Sequence, residues 1–393
     1  MAAKKKAKGG ASSKEAPAKK KDLEKKASVH TPLADALAKR YSRPIIQRLS
    51  DETVMDIQRF SSGELGIDLA LGGGWARGRI HKLQGVWGSG KSHLISSALA
   101  ELTARYGEKV LVLDAEGAWT KQWVAVKGAN VELVHIVRCQ SAEMAYDVGE
   151  AAVESGDYSA IVIDSIAAMS PEAELDGSHE DWQQGLLARL TGKFVRKISA
   201  RMNDKRTSGE DCPTVFIANQ IRRSPDQYNP TFTPGGTQQD NHSTTILELT
   251  RTERIWDGPD AQKEAERNYV GNYSRIFVNR NKTAPPLKRT LMGILTEDFQ
   301  GHKKYNFYHG DTFMRLGLKI QFIEQSGAWY TVPSLDKKFQ GSAPLKEALV
   351  SDEDLRTGLV NAIKMYVPDV PVQFQPDLLM FKGKVEDESA AIS

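Results

Sequence analysis

Gly85-Val86-Trp87-Gly88-Ser89-Gly90-Lys91-Ser92 is the stretch on which the reading of this chain turns. It matches G-x-x-x-x-G-K-[ST] at every fixed position. It stands between an apolar β-rich run, 79–84, and a helix-forming run, 91–106. Glycines there let the backbone wrap around phosphate oxygens, and the free N–H groups at the start of the helix point at them. Lys91 is expected to neutralise β- and γ-phosphates, with the Ser92 hydroxyl on Mg²⁺.

Outward from this loop, short apolar runs alternate with helical patterns. The runs 110–114, 133–137, 160–164 and 214–219 read as strands, and 120–127, 142–155 and 183–202 read as helices. Such alternation predicts an α/β fold, a mainly parallel sheet flanked by helices. Strands at 244–250, 275–279 and 290–295 have no long helices between them and read as antiparallel additions at one side. Residues 61–71 read as a turn and a short helix capped by Ser61 or Ser62. Residues 32–42 read as a helix with Leu33 and Leu37 one turn apart. Pro44 ends it, and Ile45 and Ile46 follow as an extended piece. A smaller α+β unit is expected over 301–382, with a loose polar tail at 383–393.

Charge is uneven. The chain of 393 residues carries +3, but residues 1–29 hold ten Lys and three acids, leaving the rest at −4. That arm has nothing to build a core from and reads as disordered, either a solubilising tail or an electrostatic arm for nucleic acid. Cys139 and Cys212 form no CxxC pair, which argues against a disulfide scaffold or a cysteine zinc site and for a reduced, cytoplasmic setting. No run of about 18 apolar residues predicts a membrane span, and the first residues lack the apolar core of a secretory signal.

Further motifs gather around the phosphate loop. Asp164 ends the apolar run 160–164, where a carboxylate holds the hydration shell of Mg²⁺. Glu116 lies just past the end of 110–114; a carboxylate there can orient and deprotonate water, although a surface loop Glu is the commoner fate. Gln220 follows Asn219 at the end of another apolar run, placed either to bond a γ-phosphate or only to cap the strand. Leu186, Leu190, Phe194 and Ile198 recur at helical spacing, with Arg189, Lys193, Arg196 and Lys197 on a second stripe. A basic stripe is usually a solvated face. The irregular loop 222–236 mixes Arg222, Arg223, Tyr228 and Phe232 before Gly235-Gly236, a composition suited to phosphates and bases together.

Taken in order, these segments resemble the RecA family of homologous-recombination ATPases from about residue 31 to 365. The carriers are Gly74-Trp-Ala-Arg-Gly-Arg-Ile80, the phosphate loop, Asp114-Ala-Glu116 and Val162-Ile-Asp-Ser-Ile-Ala-Ala168. They continue with Gly185-Leu-Leu-Ala-Arg189, Asn219-Gln-Ile-Arg222, Gly235-Gly236, Arg280-Asn-Lys282 and Gly327-Ala-Trp-Tyr330. The resemblance implies an ATP- and Mg²⁺-dependent protein that forms helical homo-oligomeric filaments on single-stranded DNA. It would pair that DNA with homologous duplex in recombination and repair, on the nucleoid and without a membrane.

By resemblance, Glu116 is the catalytic glutamate and Gln220 the γ-phosphate sensor. Trp123 packs against adenine beside the nucleotide-binding residues 85–92 and His93. Segments 176–184 and 222–236 are the two DNA loops, with Arg189 and Arg196 as DNA contacts. Arg280 and Lys282 reach ATP across a subunit interface, and residues 30–60 form the oligomerisation arm of a core spanning 61–300. Trp87 inside the phosphate loop, Arg280 in place of Lys and the Lys-rich arm depart from the family pattern. A ring helicase or motor on the same core is the competing reading; the late Gly327-Ala-Trp-Tyr330 segment argues against it.

Overall fold

A computed structural model describes residues 29, 31–42, 45–46, 48, 57–177, 185–224, 231–257, 268–300 and 302–372. Most of the Lys-rich arm, residues 178–184 of the first expected DNA loop, Tyr228 and the tail 383–393 lie outside them. Contacts divide the chain into two compact units, Met1–Asp56 with Thr207–Gly209, and Ile57–Arg206 with Glu210–Ser393.

In the first unit, helix α1 (Pro32–Tyr41) starts on Thr31, whose hydroxyl accepts from the Ala34 N–H, and carries Pro32 in its first turn. Leu33 and Tyr41 stand exposed on it.

The second unit opens with strand β1 (Arg59–Phe60), helix α2 (Leu65–Leu71) and strand β2 (Trp75–Ala76). Ser61 and Ser62 do not cap α2, which begins after Glu64. Both hydroxyls donate instead to the buried Asp68 carboxylate, at 2.6 Å each. A buried acid without those donors would be costly.

The core then runs β3 (Ile80–Gly85), α3 (Lys91–Ala100), β4 (Val110–Asp114), α4 (Lys121–Ala125), β5 (Val134–Arg138), α5 (Ala142–Ser155), β6 (Ala160–Asp164), α6 (Glu172–Asp176) and α7 (Leu186–Ser208). It continues with β7 (Thr214–Gln220), β8 (Arg222–Arg223), β9 (Thr231–Phe232), α8 (Gln238–His242), β10 (Thr245–Asp257), β11 (Asn268–Asn281) and β12 (Arg289–Leu295). The principal sheet has eight strands in the order β12-β11-β10-β3-β7-β6-β4-β5.

The expected antiparallel edge is narrower than the sequence suggested. Strand β10 runs parallel to β3, and β11 alone runs against them; β12, antiparallel to β11, points the same way as β10. The chain between β7 and β10 carries it back across the sheet before β10 starts, so no hairpin forces reversal there. Strands β10 and β11 also extend beyond the expected 244–250 and 275–279, β10 through the consecutively exposed residues 250–254.

Alternation along the strands divides the interior. Val110, Val112, Val162, Phe216 and Leu83 face one core with Leu94, Ile95 and Leu99 of α3. Leu111, Leu113, Ile161, Ile163, Val215 and Ile217 face the other, with Phe194 and Ile198 of α7. Both faces are covered, which explains the near-continuous apolar strands. Helix α7 runs past the expected end at 202, as far as Ser208. Leu186 and Leu190 at its start are half-buried, whereas Arg189, Lys193, Arg196 and Lys197 are exposed.

Beyond the sheet, α9 (Gly310–Lys319), strands β13 (Glu324–Ser326), β14 (Trp329–Val332) and β15 (Lys337–Gln340), and helices α10 (Ser342–Ser351) and α11 (Glu353–Tyr366) enclose a separate core. Phe313, Val332, Leu349 and Leu359 lie in it. Tyr330 is buried there; Trp329 is exposed, with Lys338 Nζ 4.7 Å from its ring centre.

Candidate functional site

The register of the sheet brings four strand ends together in two level pairs. Gly85 pairs with Gln220 across β3 and β7, and Asp114 pairs with Asp164 across β4 and β6. Ligands of parallel sheets lie beyond such carboxyl ends. The phosphate loop leaves β3 there and enters α3. Gly90 has φ +88°, and a Cβ on it would stand 2.4 Å from Ile294 Cδ1, so only glycine closes the loop onto β12. Val86 and Trp87 form its exposed crown.

Lys91 is buried and folds back, its Nζ donating to the carbonyls of Gly85 at 3.0 Å and Val86 at 3.1 Å. Burial lowers its pKa, while Asp164 and Glu116 oppose that shift. Burial raises the pKa of Asp164, and hydrogen bonds from Ser92 and Trp119 hold it back. Trp119 Nε1 donates to Asp164 Oδ2 at 2.9 Å. A hydroxyl at the helix start bonded to a strand-end carboxylate is the donor set that fits Mg²⁺.

Glu116 sits in the loop after β4. Its Oε1 accepts from Gln220 Nε2 at 2.9 Å and from the Ser165 hydroxyl. Asp114 builds that loop, accepting N–H bonds from Gly117 at 2.8 Å and Trp119 at 3.1 Å, and it pairs with Arg138 of β5. Arg138 also donates to the Trp119 carbonyl at 2.7 Å. Ser165, Trp119 and Arg138 were not anticipated. Ser165 could have been, as the residue next to Asp164; the other two carry no sequence signal of their own.

An aromatic group flanks the start of α3. Trp123 Nε1 donates to His93 Nδ1 at 3.1 Å, and Tyr305 also stacks on His93 with ring centres 6.1 Å apart. Burial and the nearby Lys127 push the His93 pKa down to about 3, so this ring is neutral at physiological pH.

Arg222 at the other rim donates to the Ala167 carbonyl at 2.9 Å. Its strand β8 pairs with β9, setting Arg222 opposite Phe232. Gly235 and Gly236, at φ +82° and +75°, lie against Ile166, Thr191 and Ala188, so this loop returns onto the first turns of α7, beside Arg189. Asn219, read as a strand-end amide, is fully buried and donates to Pro234 O at 2.8 Å and to Gln239 Oε1 at 3.0 Å. Gln239 in turn donates to the carbonyls of Pro234 and Gly236, at 2.6 and 2.9 Å.

Arg280 and Lys282 do not join the phosphate loop. Ile246 of β10 pairs with both Arg280 and Lys82, whereas Gly85 pairs with Leu249, three residues further along. At about 3.3 Å per residue, the two cations lie on the order of 10 Å back along the strands, towards the other end of the sheet. Arg280 donates to the main-chain oxygen of Asp240, and Lys282 Nζ to that of Asn241 at 3.0 Å. Burial lowers the Lys282 pKa, and Arg280 adds to the effect. Neither cation forms an ion pair among the described residues. No helix among them is long and apolar enough to cross a membrane.

Comparison with known proteins agrees with this geometry. The family described as RecA N-terminal domain matches residues 29–299. The chain is 32% identical to Protein RecA of Oceanobacillus iheyensis over 333 residues, 84% of this chain and 89% of that one. It is also 32% identical to Protein RecA of Limosilactobacillus reuteri over 332 residues, 84% and 85% of the two chains. With Protein RecA of Bacillus velezensis the identity is again 32%, over 84% and 89%. A sheet of this order, a phosphate loop at its carboxyl edge and relatives matched over most of their length lead to one conclusion: the chain belongs to the RecA family.

Proposed function

We propose that this chain is a DNA-dependent ATPase that assembles as a helical filament on single-stranded DNA and exchanges strands with homologous duplex. The observation that carries the proposal is the separation of phosphate-binding groups between two ends of one sheet. Lys91, Ser92, Asp164, Glu116 and Gln220 gather at the carboxyl end, whereas Arg280 and Lys282 stand towards the opposite end, donating to main-chain carbonyls among the described residues. Two neighbouring cations of that kind suit a polyphosphate from a second copy stacked head to tail, and head-to-tail contacts that do not close generate helices.

In this reading the phosphate loop and Lys91 hold the triphosphate, and Lys91 exchanges its carbonyl partners for phosphate oxygens. Trp123 and His93 flank the base. Mg²⁺, held by Ser92 with Asp164 behind it, would neutralise charge between the phosphates. Glu116 accepts the proton of the attacking water, a role typically worth 10²–10⁴ in rate. Gln220 carries the state of the γ-phosphate into the loop 222–236. Arg280 and Lys282 of the neighbouring copy stabilise charge on the transferring phosphoryl group, as arginine fingers do.

Arg189, Arg196, Arg222, Arg223, Tyr228, Phe232 and the Gly235-Gly236 hinge form the DNA-binding surface. Segment 30–60, with Leu33 and Tyr41 exposed on α1, serves as the arm that docks on the next subunit. Residues 61–300 form the core and 301–382 a small C-terminal domain. Such work lies in the cytoplasm, on the nucleoid.

Negative-stain images with a slowly hydrolysed ATP analogue and single-stranded DNA test the proposal. Open helical filaments, with ATP hydrolysis stimulated by DNA, are expected. Closed rings would instead support a ring motor, and the absence of DNA stimulation would remove the proposal.

A further inference from the structure

Lys82 is a cation in the middle of the sheet that none of the chemistry above uses. It lies on β3, flanked by β10 and β7, with its side chain fully buried. Its Nζ donates to Asp240 Oδ1 at 2.5 Å and to Thr233 Oγ1 at 3.1 Å. A charge in such a place is costly unless paired, and removing one partner alone is worse than never having had the pair.

Asp240 belongs to α8 and is partly exposed. It lines a cavity of about 340 Å³ with Gln84, Asn279 and Arg280. Arg280 donates to the main-chain oxygen of Asp240, not to its carboxylate; the carboxylate is occupied by Lys82. An arginine and a free carboxylate in one cavity pair readily, often through two parallel bonds. Here the carboxylate is held by Lys82, and the guanidinium bonds the main chain of the same residue.

We infer that Lys82 is a positioning residue: by holding the Asp240 carboxylate it keeps that acid off Arg280, leaving the guanidinium for a polyphosphate delivered by a second copy of the chain. The same ammonium reaches Thr233, two residues before Gly235-Gly236, so the clamp also ties α8 to the base of the second loop. Helix α8 is held on another side by Gln239, which bonds Asn219 beside Gln220. The clamp therefore lies between the two ends of the sheet, beside the base of the loop. This inference rests on the reading of Arg280 as a group that acts across subunits.

Lys82→Met tests it. Nucleotide binding by the chain alone, without DNA, should stay within twofold of the parent. The ATP concentration giving half-maximal DNA-stimulated hydrolysis should rise at least tenfold, because a released Asp240 captures Arg280 and repels the incoming phosphates. Lys82→Met combined with Asp240→Asn should return that concentration to within threefold of the parent, a rescue that loss of packing would not give. If Lys82→Met does not fold, Lys82→Gln, which keeps a polar head without the charge, takes its place in the same comparison. Parental ATP dependence in the single variant, or a double variant no better than the single, overturns the clamp. Arg280→Ala run beside them separates the two ideas: parental turnover there removes the shared site itself, whereas a dead Arg280→Ala with a normal Lys82→Met removes only the clamp.

Discussion

Gln220 Nε2 lies 2.9 Å from Glu116 Oε1, so the carboxylate facing the phosphate loop is held by the last residue of a strand that runs on into the loop 222–236. A γ-phosphate that drew Gln220 away would release Glu116 and shift the start of that loop in one movement. Both ends of the proposed coupling would then sit on a single amide.

Glu116→Gln should still bind ATP, since the hydrogen bonds of Glu116 go to Gln220 and Ser165 and not to the phosphate loop. Its amide cannot accept a proton from water, so turnover should fall by about 10²–10⁴. The variant should also remain longer on DNA. Hydrolysis at the parental rate in a phosphate-release assay would show that the base is elsewhere.

Gln220→Ala should uncouple the two ends. Its rate with single-stranded DNA, divided by its rate without, should approach one, while ATP binding persists. A parental ratio would mean that the hydrogen bond to Glu116 only caps the strand.

Arg189 and Arg196 lie seven residues apart on α7, about 10 Å along its axis. Both are exposed, whereas Lys197 in the same stripe is drawn to Glu150 at 2.6 Å. The Arg189→Ala, Arg196→Ala double variant should bind single-stranded DNA more weakly. Its plot of log affinity against log salt should be shallower by about 1.4 if each arginine meets one phosphate. An unchanged slope in titrations at several salt concentrations would make the stripe a solvated face.

The legible parts of this molecule were those in which local chemistry is repeated by position. The phosphate loop, the acids that end the runs 110–114 and 160–164 and the two faces of α7 depend on residues close in sequence, and the structure keeps them together. What escaped depends on pairing across the sheet. Nothing near Asp240 says that Lys82 reaches it from 158 positions away in the sequence, although a lysine inside an apolar strand is itself a signal of a buried partner. Ser61 and Ser62 precede a helix, so capping was the local expectation; only the fold shows that Asp68 takes their hydroxyls. The direction of β10 is set by the path of the chain behind it, which strand propensity does not encode.

Asp68 supplies a pH dependence. Burial raises its pKa to about 7, against the hydrogen bonds from Ser61 and Ser62. A carboxyl raised in the folded state binds its proton more tightly there than in the unfolded chain. Its contribution is therefore fully present below about pH 4 and lost as pH rises towards 7. Asp68→Asn cannot ionise and should gain stability relative to the parent across that window, by on the order of a few kcal/mol, with a constant difference above it. Urea denaturation of both proteins at pH 4, 5.5, 7 and 8 checks this. A difference that does not change with pH would mean that Asp68 ionises alike in both states.

The central claim is that the ATP site is completed by a second copy of the chain, and mixing two inactive variants tests it most directly. Lys91→Ala lacks the cation of the phosphate loop, and Arg280→Ala lacks the group at the other end of the sheet. Each alone should show almost no DNA-stimulated hydrolysis, since an arginine finger is typically worth 10³–10⁵ in rate. Mixed on single-stranded DNA, they form some interfaces in which an intact phosphate loop faces an intact Arg280, and hydrolysis should reappear with a maximum near equal proportions. Activity of the mixture no greater than the sum of its parts, or full hydrolysis by Arg280→Ala at a dilution where it is monomeric, would contradict the shared site.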